Sequence, residues 1–130
     1  MDRVAAVAYG RRKPERGDIV IFRTPPAAVR KCGEGGTYIK RLIGLPGNRW
    51  SERRGYIYID GKKLEEPYVL PSRRDDASFR GGPIPPSEYL LLGDNRASSC
   101  DSRFWGLVPE TNLVGRVVEI KRGAKVIHIR

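Results

Sequence analysis

The sequence predicts a mainly β fold, a single compact antiparallel barrel or sandwich with little helix, and three observations lead there. Short runs of β-branched and aromatic residues recur along the chain. Fifteen glycines and ten prolines separate them. Two of the separators are turn dipeptides: Pro46-Gly47 suits a type II turn and Asp60-Gly61 a two-residue hairpin.

The first strand is expected over Asp18–Phe22, in the run RGDIVIFR from Arg16 to Arg23. The second, Thr37–Gly44, is an apolar, β-branched run interrupted by Lys40, which alternation puts on the same face as Tyr38 and Leu42. Gly55–Ile59 contains Tyr56-Ile57-Tyr58-Ile59 and should fold back onto Lys62-Lys63-Leu64 through the Asp60-Gly61 turn. Residues 70–86, with Arg73-Arg74-Asp75-Asp76, Gly81-Gly82 and several prolines, read as the least ordered stretch. Further strands follow at Tyr89–Leu92, Leu113–Ile120 and Lys125–Ile129, with a short helical turn after Pro109.

The chain has 130 residues, 39% hydrophobic and 31% charged, which excludes a disordered polymer and suffices for one core spanning residues 1–130. No internal repeat is present. The apolar run Val4–Tyr9 is too short to span a bilayer, and no signal peptide precedes it. A net charge of +10, clustered at Arg11-Arg12-Lys13, Arg53-Arg54, Arg73-Arg74 and Lys121-Arg122, favours anionic partners, phospholipid headgroups or nucleic acid.

Two blocks carry the chemistry. Gly93 to Gly106, GDNRASSCDSRFWG, is a run of turn-forming, hydroxyl and charged residues with no apolar periodicity, so it reads as a shaped loop. Thr37 to Asn48, TYIKRLIGLPGN, places a lysine in an apolar strand. Such a lysine is usually an edge residue whose ammonium snorkels to water. To serve as a base near neutral pH, a lysine must instead be destabilised as a cation by about 4 kcal/mol, which burial supplies.

Other chemistries fit poorly. The single histidine, His128, lies in the alternating VIHIR strand near the end, which argues against a Ser–His–Asp site. Two cysteines and one histidine do not make a tetrahedral zinc site without carboxylates, and Cys32-Gly-Glu-Gly-Gly lacks the lysine–hydroxyl pair of a phosphate loop. No cofactor and no metal are expected.

The order RGDIVIF, YIKRLIGLPG, GDNRASSCDSRFWG and VPETNLVG resembles that of the type I signal peptidases, serine–lysine endopeptidases that remove signal peptides from exported preproteins. The resemblance implies Lys40 as general base, Ser99 as the hydroxyl that orients it, and ion pairs Arg41–Asp94 and Asp101–Arg103 bracing the loop. It also implies substrate bound as an added strand, with Ile21, Tyr38 and Ile39 at the positions of the apolar pockets, although core packing is the commoner role for such residues. Residues 70–86 stand as a loop where larger members carry an extra β domain.

The nucleophile of this family is a serine in an SMxPTL segment, which is absent here, and Met1-Asp2-Arg3-Val4 resembles the stretch following it. The expectation is a chain that begins just past the nucleophile and is inactive by itself, with a naturally inactive paralogue as the alternative. Any membrane anchor would lie in sequence outside these residues. The implied setting is the extracytoplasmic face of the cell membrane, with signal peptides and an anionic membrane surface as partners. If Ser99 approaches Lys40, Cys32 and Cys100 approach as well, and in an oxidising compartment a Cys32–Cys100 disulfide is expected; in a reducing one the two thiols would be incidental. A basic single-strand nucleic-acid-binding barrel is the rival from another class, suggested by RRGYIYIDGKK from Arg53 to Lys63. It does not account for Lys40 or the Gly93–Gly106 block, so no nucleic-acid partner is expected. A self-cleaving repressor-type serine–lysine protease lacks the DSRFWG ending seen here.

Overall fold

The computed structural model describes residues 2–129, and its strands form two antiparallel sheets. In chain order the elements are β1 (Asp2–Val7), β2 (Ile19–Arg23), α1 (Ala27–Cys32), β3 (Thr37–Gly44), β4 (Arg49–Arg53), β5 (Tyr56–Ile59) and β6 (Lys62–Lys63). Then come β7 (Phe79–Pro83), β8 (Glu88–Leu92), α2 (Ser102–Trp105), β9 (Val108–Pro109), β10 (Leu113–Arg122) and β11 (Lys125–His128). The larger sheet runs β1-β10-β2-β3-β8-β9, with β11 also paired to β10; the smaller runs β6-β5-β4-β7.

Strand β8 and the end of β3 from Leu42 to Gly44 lie at the centre, covered on both faces. Alternation sends Leu42 and Leu91 to one core, with Val20, Phe22, Ala28, Trp105 and Val108. It sends Ile43, Leu90 and Leu92 to a second core, shared with Trp50, Ile57, Ile59 and Ile84. A strand buried on both sides reads as a continuous apolar run, which explains Leu90-Leu91-Leu92, all 0% exposed. The smaller sheet can approach β3 closely because position 44 is glycine: a Cβ there would press on Ile84 and Leu90.

The strand expected at Thr37–Gly44 has those bounds, and the other expected strands differ at their ends by one or two residues. The expected turns also form. Asn48 N donates to Leu45 O (3.0 Å) around Pro46-Gly47, and Asp60 and Gly61 both have positive φ (52° and 83°), as a type I′ hairpin needs. A 3₁₀ turn occupies Glu110–Asn112, after Pro109.

Several elements depart from expectation. Residues 70–86 are not simply a loop: β7 pairs with β4 and is an edge of the smaller sheet. Its glycines and Pro83 conceal it, since an edge strand tolerates proline. Strand β4 pairs with β5 through Arg54-Gly55, where Arg54 itself takes a positive φ of 49° that its residue type does not advertise. The six-residue α1 follows Pro25-Pro26 and ends at Gly33 in the left-handed conformation, a start and stop signal on a helix too short to show periodicity. The Gly93–Gly106 block, read as a loop, ends in the helical turn α2. Of the Met1–Val4 stretch, Met1 lies outside the described residues, while Asp2 begins β1.

Candidate active site

Lys40 and the Gly93–Gly106 block meet because β3 and β8 are neighbours: Arg41 pairs with Leu92, so the chain leaving β8 turns back across the strand end that carries Lys40. The returning chain is fastened by α2, where the Ser102 hydroxyl accepts from Leu91 N (3.0 Å). Between the two elements opens a cleft of about 300 Å³ lined by Ile19, Ile39, Lys40, Arg41, Gly93, Asp94, Asn95, Ser98 and Ser99.

Lys40 Nζ donates to Ser99 Oγ at 3.0 Å. The serine hydroxyl in turn donates to Asp101 Oδ2 at 2.8 Å. With its proton directed at the carboxylate, Ser99 presents a lone pair to the lysine. Lys40 therefore remains the donor in this contact even when neutral, and its own lone pair is directed away from Ser99. Burial lowers the Lys40 pKa, which Arg103 reinforces and the charges of Asp101 and Asp94 oppose.

Asp101 organises the loop. Its carboxylate accepts from Ser99 Oγ, Gly93 N (3.1 Å), Arg103 N (3.2 Å) and Arg103 Nε (2.9 Å), and it caps α2. The pair Asp101–Arg103 is wholly buried, 0% exposed on both sides, unlike an ordinary surface bridge. Arg103 also donates to Glu52 on β4, to Asp75 (2.7 Å) and to the carbonyls of Arg96 and Ser99. Burial disfavours its charge, yet the Asp101 hydrogen bond and the surrounding carboxylates prevail, and the Arg103 pKa rises. Burial dominates at Glu52, whose pKa is raised.

Arg41 grips Asp94 with two parallel hydrogen bonds of 2.9 Å and donates to Gly17 O (3.0 Å). Cys32 at the end of α1 and Cys100 beside Ser99 form a disulfide with Cα atoms 6.0 Å apart. The structure thus brings together Lys40, Ser99, Arg41, Asp94, Asp101, Arg103 and the Cys32–Cys100 bond.

The three pocket positions divide. Ile39 is 44% exposed and lines the cleft. Tyr38 packs into the first core, edge-on to Trp105 at 5.9 Å, and Ile21 is half-buried opposite Ile39 in the β2–β3 register. His128 is an exposed residue 3.6 Å from Glu119. Among the described residues, no group of three or more His, Cys, Asp or Glu is arranged to hold a metal, and no helix is long and apolar enough to cross a membrane. In the basic and aromatic stretch of β4–β6, Arg53 stacks on Tyr58 (4.5 Å) and Lys63 on Tyr56 (3.8 Å).

The sequence reading missed Glu52, Glu66, Tyr68, Asp75 and Arg96. Arg96 stands within the GDNR run, and its side chain is 0% exposed. The others come from the smaller sheet and its connections, where no local pattern marks them.

Residues 2–121 match the family described as "Signal peptidase, peptidase S26". The chain belongs to this family. It is 40% identical over 115 residues to the probable signal peptidase I-2 of Synechocystis sp., covering 87% of this chain and 50% of that protein. To signal peptidase IB of Staphylococcus aureus (strain COL) it is 34% identical over 134 residues, covering 89% of this chain and 66% of that one. The chain thus spans roughly half to two thirds of the length of these relatives. The crystal structure of a signal peptidase I from Enterococcus faecalis V583 superposes with a TM-score of 0.61 at 33% identity, covering 80% of this chain and 96% of that one. The mainly β architecture with two short helices is therefore a signal peptidase architecture.

Proposed function

We propose that this chain carries the general-base half of a type I signal peptidase, with Lys40 as the base and Ser99 as the hydroxyl that orients it. The observation that carries this reading is the half-buried Lys40, hydrogen-bonded to a serine whose own proton is held by buried Asp101. Burial favours the neutral amine, the form a base requires.

In the intact enzyme a serine hydroxyl attacks the scissile carbonyl while Lys40 Nζ takes its proton, then returns it to the departing amine. We infer that this serine belongs to a segment other than these 130 residues, and that the nucleophile's own backbone contributes to the oxyanion hole. Of the chain's serines, only Ser98 and Ser99 line the cleft, and Ser99 is already engaged with Asp101. The substrates would be signal peptides of exported preproteins. Residues 37–40 of β3 pair with β2 on one side, whereas pairing with β8 begins at Arg41, so an extended peptide could add along the other edge beside Ile39. The charge of +10 suits work at an anionic membrane surface, on the extracytoplasmic side.

Incubating the purified chain with a preprotein tests this. No cleavage is expected from the chain alone, and cleavage is expected when it is expressed in frame behind a serine-bearing segment of the family, with loss in Lys40→Ala. Robust cleavage by the chain alone that disappears in Lys40→Ala and Ser98→Ala would overturn the assignment of the nucleophile. Cleavage unaffected by Lys40→Ala would overturn the assignment of the base.

A further inference from the structure

After β6 the chain makes a tight turn closed by Val69 N donating to Glu66 O (3.1 Å). Two side chains of this turn reach the machinery around Lys40. Glu66, 1% exposed, accepts from Arg96 through both Nη atoms (3.3 and 2.5 Å) and from Arg74 Nη1 (3.3 Å). Arg96 donates its remaining Nε to Gly93 O at 2.8 Å. Gly93 is thus held at both ends, its N–H by Asp101 and its carbonyl by Arg96. It also forms the wall against Lys40: a Cβ added at Gly93 would overlap Ser99 Oγ and stand 3.2 Å from Lys40 Nζ.

Tyr68, two residues beyond Glu66, lies against the opposite side of the cleft. Its ring stacks on the Arg41 guanidinium, 4.1 Å from the centroid, and Arg41 is the strand neighbour of Lys40 and the bidentate partner of Asp94. One turn therefore grips both walls, the loop through Arg96 and the strand through Arg41. A buried Glu–Arg pair adds little net stability over apolar side chains of similar volume, so stability alone accounts poorly for charges placed here. What it supplies is a fixed geometry at Gly93.

We propose that Glu66 and Tyr68 are positioning residues that clamp the Lys40–Ser99 pair from the side of the smaller sheet. The charges acting on Lys40 are those of Asp101, Arg103 and Asp94. Glu66 thus acts through the placement of the loop rather than through its own field. The inference deepens the reading of Lys40 as a base, but its test does not depend on peptide cleavage.

The experiment is an NMR titration of the Lys40 side chain in this chain, with folding followed by cooperative melting. Glu66→Gln and Tyr68→Leu are expected to admit water and move the Lys40 midpoint up toward that of an ordinary lysine. Acylation of Lys40 at pH 8 should fall several-fold. Tyr68→Phe keeps the ring and is expected to restore the unsubstituted value. If Glu66→Gln fails to fold, the double variant Glu66→Met with Arg96→Met removes both charges and is expected to give the same upward movement. A Lys40 midpoint unchanged in the folded Glu66 and Tyr68→Leu variants overturns the clamp. An ordinary midpoint already present in the unsubstituted chain overturns instead the reading of Lys40 as a base.

Discussion

Reducing the Cys32–Cys100 bond should lower stability far more than it disturbs the lysine. The bond joins residues 68 apart in sequence, and closing a loop of that size in the unfolded chain is worth about 4 kcal/mol in the chain-entropy description. For a domain of 130 residues each kcal/mol moves the melting midpoint by about 3–5 °C, so reduction should lower it by about 12–20 °C. The bond ties α1 to the chain just before α2, yet Ser99 remains held by Asp101 and its carbonyl by Arg103 in the absence of the bond. The Lys40 titration should consequently keep its midpoint below the melting range. Thermal melts with and without a phosphine reductant measure the first quantity, and NMR of the Lys40 side chain measures the second. A midpoint shift of only a few degrees would refute the loop-entropy argument, and two titratable thiols in unreduced folded protein would refute the bond itself. A Lys40 midpoint that rises on reduction would show that Cys100 positions Ser99.

Asp101→Asn removes the charge from a fully buried carboxylate serving Ser99, Gly93 and Arg103, and should cost about 3–5 kcal/mol in urea unfolding; a loss under about 1 kcal/mol would refute its central place. Lys40→Met should stabilise the chain at neutral pH, because burial disfavours the lysine cation. The lowered folded pKa means that the unfolded chain holds more protons between that value and about 10.4, so the stability of the unsubstituted chain rises through this window. The advantage of Lys40→Met should therefore shrink as pH approaches 10, and urea midpoints showing a constant difference would contradict it.

The central strands were legible because burial on both faces writes itself into sequence as uninterrupted apolar residues, as in Leu90-Leu91-Leu92. The Asp60-Gly61 hairpin was legible because its residue types favour positive φ. Strand β7 and the Arg54-Gly55 turn were not, since glycine and proline in one case and an arginine in the other carry the opposite local message, and tertiary pairing decides. The same division runs through the site. Ser99, Asp94 and Asp101 sit in a block whose composition has no packing explanation, and Lys40 stands out as a charge within an apolar strand. Glu52, Glu66 and Asp75 are acidic residues in ordinary polar surroundings, given meaning only when β4 and the segments after β6 come to rest against Arg96 and Arg103.

That arrangement explains how one cation near the cleft comes to differ from the rest. Arg41, Arg96 and Arg103 are each bonded to carboxylates: Asp94 for the first, Glu66 for the second, and Asp101, Asp75 and Glu52 for the third. Lys40, half-buried beside them, donates instead to a hydroxyl. Burial disfavours every charged group, but a guanidinium matched to carboxylates recovers the loss, as the raised pKa of Arg103 shows. A hydrogen bond to serine recovers much less, so burial prevails at Lys40 and its pKa falls. Asp101 is close enough to oppose this through its field, yet its oxygens are engaged by Ser99, Gly93 and Arg103. Interposing Ser99 between the two keeps the carboxylate from forming a direct ion pair with the lysine, and that separation is the feature on which a neutral amine at this position depends.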